Sequence, residues 1–199
     1  MFIRTVDEGL ERLLRTSLPL PEEIGDVTFD APTSNWSAQL SRITVNLFLY
    51  DVCRSTQPAR SATQAIDANG RPVRRPPQPM IQLGYLVSAW AGSPRDEHQL
   101  LGDLVSRLAA AAVLPAEHLP NELTSTVHLD LVEDPTNRLR DIWAGAGGQL
   151  KASFTLQATV ASDTFDWQDE APAVTRIEAL TVPRPTRPDA LGQAATTPR

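Results

Sequence analysis

The 199-residue sequence contains very little cysteine and has no long hydrophobic run. Its one cysteine, Cys53, excludes a disulfide within the chain and a zinc centre built from several cysteines, because both need at least two thiols. No stretch of about 18 consecutive apolar residues occurs, so we expect no membrane span. Residues 1–8 lack the basic flank and apolar core of a secretion signal. These absences predict a cytoplasmic protein.

Positive charge is scarce as well, and it is unevenly distributed. The net charge of −6 argues against nucleic acid binding, since proteins that bind nucleic acid carry a basic surplus on at least one face. The net charge, counted from Lys, Arg, Asp and Glu, is −4 over residues 1–53, +4 over 54–80, −8 over 81–182 and +2 over 183–199. The sequence therefore predicts an acidic body with one basic segment.

Hydrophobic periodicity predicts an α+β domain. Apolar residues at three- and four-residue steps predict amphipathic helices over residues 2–15 and after Ser93, which can form a capping box with Asp96. The second helix is expected to bury Leu100, Leu101, Leu104, Val105 and Leu108. Strands are expected at residues 26–29, 43–50, 80–91, 125–132 and 151–160, with a short helix capped by Asp134-Pro135 and an edge strand at 174–182.

The faces of these strands can also be predicted. Residues 43–50 and 80–91 carry apolar side chains on both faces, which is typical of central strands. In the strand at 151–160, Phe154, Leu156, Ala158 and Val160 are expected to point inward. Thr155, Gln157 and Thr159 are expected to point outward, to a wet face.

The basic segment, residues 54–80, holds five arginines, five prolines and a single acid. It is too long for a passive loop, so it is either disordered or folded on itself. Asp67 to Gly70 has the residues of a turn, and we expect a protruding hairpin. Its Arg71, Arg74 and Arg75 are candidates to contact carboxylates of a partner, the alternative being a solvated loop.

The end of the chain differs in composition from the rest. Residues 183–199 hold four prolines and no large apolar residue except Leu191. Such a segment buries too little surface to offset its ordering entropy. We expect one domain over residues 1–182 and a disordered tail over 183–199.

Candidate catalytic groups are few. Asp96, Glu97 and His98 could serve acid–base chemistry or hold a metal, but consecutive helical residues point about 100° apart, and acids are favoured in the first turn of a helix. Cys53 could be a nucleophile only with a base nearby, and no nucleophile motif surrounds it. We expect no enzyme, metal site or cofactor. A small hydrolase or transferase that uses Cys53 or the Asp96–Glu97–His98 cluster is an alternative.

Aromatic residues supply further contact candidates. Trp90 and Trp143 lie inside apolar patterns and are expected to be core or interface anchors. Trp36, Phe165 and Trp167 lie in polar segments that we expect to be exposed, where they are candidates for partner binding. Arg42 is a further candidate.

Three segments, taken in order, resemble one protein family. They are residues 35–51 (NWSAQLSRITVNLFLYD), residues 79–91 followed by 96–102 (DEHQLLG), and residues 142–148 (IWAGAGG) leading into a Ser/Thr-rich strand. These resemble the Pvc16-type cap proteins of phage-tail-like contractile injection systems, over roughly residues 3–162. Ser88 stands where the family normally has threonine.

The resemblance implies a tail-terminator fold, a mixed β-sheet of four to six strands flanked by helices. It also implies a homo-hexameric ring on the last layer of inner tube and sheath, at the end distant from the baseplate, where the ring stops elongation and anchors the sheath. The implied partners are further copies of the chain, the sheath protein and the inner tube protein. A monomeric adaptor that recruits a partner through the basic segment is an alternative.

Overall fold

A computed structural model describes residues 2–18, 20–120, 123, 125–132, 138–162 and 164–170. The chain divides into two units, Met1–Asp169 and Glu170–Arg199, and the elements below all belong to the first. The edge strand predicted at 174–182 and the tail predicted at 183–199 lie outside the described residues.

The described elements are four α-helices, one 3₁₀ turn and eight strands, with the second to fifth strands following one another directly along the chain. The helices are α1 (Phe2–Ser17), α2 (Ser34–Ser37), α3 (Pro94–Ala110) and α4 (Arg138–Ala146), with a 3₁₀ turn at Ala116–His118. The strands are β1 (Gly25–Thr28), β2 (Ile43–Arg54), β3 (Thr63–Ile66), β4 (Pro72–Arg75), β5 (Met80–Trp90), β6 (His128–Val132), β7 (Ser153–Ala161) and β8 (Gln168–Asp169). Among the residues described here, no helix combines the length and the apolar character needed to cross a membrane.

Five strands form the main sheet, in the order β1-β2-β5-β7-β6. β1 runs parallel to β2, with Gly25 opposite Ile43, whereas the other neighbouring strands are antiparallel. The sheet is therefore mixed, and the predicted α+β class with four to six strands is confirmed. The two strands with apolar side chains on both faces, β2 and β5, lie inside the sheet as predicted.

Helices α1 and α3 cover one face of the main sheet. Leu10 and Leu14 of α1 are fully buried, and Leu104 and Leu108 of α3 are buried with them. The sheet contributes Val45, Leu47, Leu83, Tyr85, Val87, Leu156, Ala158 and Val160 to the same core. The apolar stripe of each helix thus packs against the main sheet, as expected for an amphipathic helix.

Helix α3 begins at the predicted N-cap, Ser93, whose hydroxyl and Asp96 bond to each other. Ser93 Oγ accepts a hydrogen bond from the Asp96 backbone N–H at 3.3 Å and donates one to Asp96 Oδ2 at 2.7 Å. The prediction that Val105 is buried is wrong, because its side chain is 37% exposed. Leu104 and Leu108 face the sheet, and Val105 follows Leu104 by about 100° around the helix, toward solvent.

The second face of the main sheet is covered too. Trp143 of α4 is 1% exposed and donates a hydrogen bond from Nε1 to Ser153 Oγ at 3.0 Å. Thr155 and Thr159, which were expected to face water, are buried, so that prediction is wrong. Two-residue periodicity correctly separates the faces of β7, but it does not reveal that a helix packs on each side.

Some element boundaries differ from the predicted ones. β2 continues past Tyr50 to Arg54, and its register shifts between Leu49 and Asp51, where one extra residue forms a bulge. β6 begins at His128, three residues later than predicted. The predicted cap of α4 at Asp134 lies outside the described residues.

One short helix was not predicted, and the end of another helix is set by a glycine. α2 was not predicted, since four residues carry no periodicity. Helix α4 ends because Gly147 adopts a φ of +70°, and the Gly148 N–H then bonds to the Trp143 carbonyl in a Schellman motif.

Candidate functional site

A small three-stranded sheet gathers most of the predicted contact residues. β3 and β4 form an antiparallel hairpin within the basic segment, closed by a turn in which Gly70 has a φ of +79°. β8 pairs with the other edge of β4, with Gln168 opposite Arg74. The small sheet therefore brings Arg71, Arg74, Arg75, Phe165 and Trp167 together from two parts of the chain.

Side chains fasten the segment before β8 to the base of the hairpin. The Gln78 amide donates to the Phe165 carbonyl at 3.0 Å and accepts from the Phe165 N–H at 3.2 Å. Arg75 Nε donates to the same carbonyl at 2.8 Å. Arg75 thus has a structural partner, and Gln78, which is buried, was missed as a positioning residue.

The basic segment is not an isolated positive patch. Asp166 and Asp169 come to it through the pairing of β8. The five arginines of residues 54–80 are then matched by three carboxylates, counting Asp67, which leaves a balance of +2 instead of +4. Long-range strand pairing cancels half of the charge that the linear sequence suggested.

The register nevertheless places Arg74 and the nearest carboxylate of β8, that of Asp169, on different faces of the small sheet. Gln64 and Gln168 lie opposite Arg74, and Ile66 lies opposite Pro72, so these five residues share a face. Val73 and Asp169 belong to the other face, where Val73 is buried. We call the first set, Gln64, Ile66, Pro72, Arg74 and Gln168, the outer face.

The outer face is open to solvent. The Ile66 side chain is 75% exposed, and Arg74 has no hydrogen-bond or ion-pair partner among the described residues. Phe165 and Trp167, at the edge of the small sheet, are 41% and 45% exposed, as predicted. Arginine beside exposed aromatic and aliphatic side chains is the composition of interface hot spots.

Trp36 lies elsewhere, in an aromatic cluster on the second face of the main sheet. Its ring meets Trp90 edge-on at 5.3 Å, and Trp90 contacts Trp143 at 6.2 Å. Trp36 Nε1 donates to Asp30 Oδ2 at 3.2 Å. The expectation that Trp36 is exposed is wrong, because these contacts leave it half-buried.

Lys151 closes the aromatic cluster. Its Nζ lies 3.7 Å from the centroid of the Trp90 ring and 2.6 Å from Glu97 Oε1. Both charged side chains are largely shielded, with 17% and 23% of their surface exposed. The ion pair and the cation–π contact fasten the start of α3 to the segment before β7.

Arg42 is engaged within its own chain. Its Nη1 donates to Asp26 Oδ1 at 2.9 Å, and its Nη2 donates to the carbonyl of Glu22. These bonds hold the turn that precedes β1 against the start of β2. Beside them, Glu22 and Glu23 are exposed and have no side-chain partner among the described residues.

The candidate catalytic groups do not converge. Asp96 caps α3, Glu97 pairs with Lys151, and His98 is exposed. Cys53 is exposed on β2, opposite Gln82. Within the described part of the chain, no group of three or more histidine, cysteine, aspartate or glutamate side chains could hold a metal ion.

One polar pair, in which Tyr85 is buried and Asp7 half-buried, was missed by sequence analysis. Tyr85, which is fully buried, donates a hydrogen bond from its hydroxyl to Asp7 Oδ1 at 2.7 Å. Burial raises the pKa of Asp7, the bond from Tyr85 partly opposes this, and Glu8 adds to the rise. Burial and the neighbouring Asp7 also raise the pKa of Tyr85. Asp7 occupies a helical position that resembles any charged surface site in the sequence.

The fold is an α+β domain in which helices pack on a mixed five-stranded sheet and a smaller three-stranded sheet carries exposed side chains. Residues 5–176 match the Pvc16 N-terminal domain, and the chain belongs to this family. The resemblance drawn from the three sequence segments is thereby confirmed.

Solved structures of two assemblies share the fold. The sheath/tube terminator of the PVC extracellular contractile injection system, in its extended state, is 22% identical with a TM-score of 0.68, over 92% of this chain and 64% of that one. The tube-terminating cap of the anti-feeding prophage is 16% identical with a TM-score of 0.62, over 88% of this chain and 60% of that one. This chain thus spans less than two thirds of the length of either protein. No curated protein matches the sequence.

Proposed function

We propose that the chain is the structural cap of a contractile injection system. In this function it forms a homo-hexameric ring on the last layer of inner tube and sheath, at the end distant from the baseplate. The ring stops polymerisation and anchors the sheath. The observation that carries the proposal is the fold match to a sheath/tube terminator over 92% of the chain.

The distribution of exposed groups supports a structural function. Apolar and cationic side chains are presented on the surface of the small sheet, where Ile66 is 75% exposed. In the described residues Asp96 caps a helix, Glu97 forms an ion pair, and Cys53 is an isolated surface thiol. Such an arrangement suits contacts with proteins better than the positioning of a reacting molecule.

A ring of this kind stops growth by geometry. Each subunit meets the next through two different faces, and the rotation between subunits sets their number. A ring that matches the symmetry of the tube occupies every binding position of the last layer. If its upper side offers no tube- or sheath-binding surface, no further layer is added. The ring acts within the assembled cytoplasmic particle and needs no cofactor.

A deletion and add-back experiment tests the proposal. Cells that lack the chain should produce sheathed tubes of irregular length or with unstable ends. Purified chain carrying a label should bind those tubes at the end distant from the baseplate. Normal particles without the chain, or label distributed along the sheath, would overturn the cap function and favour the adaptor alternative.

We also propose that residues 1–182 form the terminator domain and that 183–199 are a dispensable tail. The low apolar content of 183–199 supports this division. A chain ending at residue 182 should restore particle length and yield as well as the full chain does. Failure to join particles, with an unchanged melting temperature, would identify the tail as a docking segment.

A further inference from the structure

Two exposed surfaces of opposite charge lie at opposite ends of one strand. β2 has twelve residues and extends over roughly 40 Å. The hairpin that carries the outer face, residues 63–75, lies between the last residue of β2, Arg54, and the start of β5, where Ile81 pairs with Arg54. The first residue of β2, Ile43, pairs with Gly25, directly after the turn that contains Glu22 and Glu23.

The turn at the start of β2 has the opposite character to the outer face. Glu22 and Glu23 are exposed carboxylates, whereas the neighbouring cation, Arg42, is paired with Asp26. Ile24 and Ile43 lie beside them, 53% and 37% exposed. We call Glu22, Glu23, Ile24 and Ile43 the acidic end.

The two surfaces complement each other in charge and in apolar character. The outer face offers Arg74 beside the exposed Ile66, and the acidic end offers two exposed carboxylates beside two isoleucines. Opposite charges around an apolar centre steer association and fix its register. Because the surfaces lie at opposite ends of β2, joining them between copies produces head-to-tail assembly, which closes into a ring when the rotation permits.

We propose that the outer face of each subunit binds the acidic end of the next copy of the chain, with Arg74 directed at Glu22 and Glu23. This inference rests on the ring of the proposed function and identifies the contact that closes it. The sheath and the tube are then bound by other surfaces of the ring.

Charge reversal on each side tests the contact. Arg74→Glu should raise the dissociation constant of self-association by about tenfold or more, and Glu23→Arg should do the same, because each places like charges opposite each other. The matched controls Arg107→Glu and Glu117→Arg make the same charge changes at exposed positions outside both surfaces and should have no such effect. Light scattering over a concentration series provides the measurement.

Mixing the two variants is the decisive step. An equimolar mixture should associate, because the new carboxylate on the outer face of one variant lies opposite the new guanidinium at the acidic end of the other. The contact between the two unchanged surfaces is that of the wild type. The mixed assembly should contain both variants in equal numbers in alternating order, which a sixfold ring accommodates. Native mass spectrometry of the mixture gives the composition directly.

The outcomes separate this contact from the cap function. If the wild type stays monomeric in solution, the same comparison is made by sedimentation with sheathed tubes from cells that lack the chain. Single variants that bind as the wild type does, or a mixture that is not restored, would overturn the contact while leaving the cap function intact. Wild-type chain that binds neither itself nor tube ends would overturn both.

Discussion

At the scale of single residues, the hydrogen bond between buried Tyr85 and half-buried Asp7 gives the fold a dependence on pH. The raised pKa of Asp7, caused first by burial, means that folding favours its neutral form. The stabilising contribution of that form is fully present below the ordinary aspartate pKa of about 3.9 and is lost as the pH rises through the raised value. At neutral pH the ionised Asp7 therefore costs stability.

Replacing Asp7 should expose this cost. The asparagine of an Asp7→Asn chain cannot ionise, and its carbonyl still accepts the bond from Tyr85. The melting temperature of this variant relative to wild type should therefore increase from pH 4 to pH 7. Tyr85→Phe should lower the melting temperature at neutral pH, because the half-buried Asp7 carboxylate loses its donor, at a cost of about 1–3 kcal/mol. If the difference in melting temperature between wild type and Asp7→Asn stayed constant from pH 4 to pH 7, the raised pKa of Asp7 would be contradicted.

At the scale of elements, the turn between β3 and β4 depends on one carboxylate. Asp67 Oδ1 accepts hydrogen bonds from the backbone N–H groups of Arg71 at 2.7 Å and Asn69 at 2.9 Å. The bond from Arg71 contributes most to the lowered pKa of Asp67. Since the folded pKa is depressed, the stabilisation is present above the ordinary value and is lost as the pH falls through the depressed one.

Removing the acceptor should loosen the hairpin locally. In an Asp67→Ala chain, amide hydrogen exchange over residues 63–75 should accelerate while the melting temperature of the domain stays near that of wild type. Asp67→Asn keeps an acceptor oxygen and serves as the control, because it should retain protection and lose its dependence on acid. Unchanged exchange in Asp67→Ala would show that the hairpin is held by other contacts.

The small sheet also shows which secondary-structure elements can be predicted from hydrophobic periodicity and which cannot. The long strands and α1 and α3 follow from periodicity, because each buries a regular stripe of apolar residues. β8 has two residues and no period, and its pairing with Arg74 joins positions more than 90 apart in the chain. Neither the reduced charge of the basic segment nor the grouping of Phe165 with Arg75 could be derived from local sequence.

At the scale of the whole molecule, class and family were predictable and the covering of the main sheet was not. The α+β class followed from periodicity, and the three segments indicated the family that the match over residues 5–176 confirms. Thr155 and Thr159 were assigned to water because polar residues usually face it, yet both are buried, and Trp143 of α4 packs on the same side of the sheet at Ser153. The choice of partners depends on surfaces, whose residues obey no period, and so it stays a proposal.

The shielded ion pair at the start of α3 has a consequence for chemical labelling. Lys151 is the one lysine of the sequence, and its amine lies between Glu97 and the Trp90 ring with 17% of the side chain exposed. Acylating reagents and lysine-specific proteases, which modify or cut most proteins at many surface positions, find this group sheltered. The rate at which Lys151 is acylated therefore reports how often α3 separates from the segment before β7, and it does so at a single position in the chain.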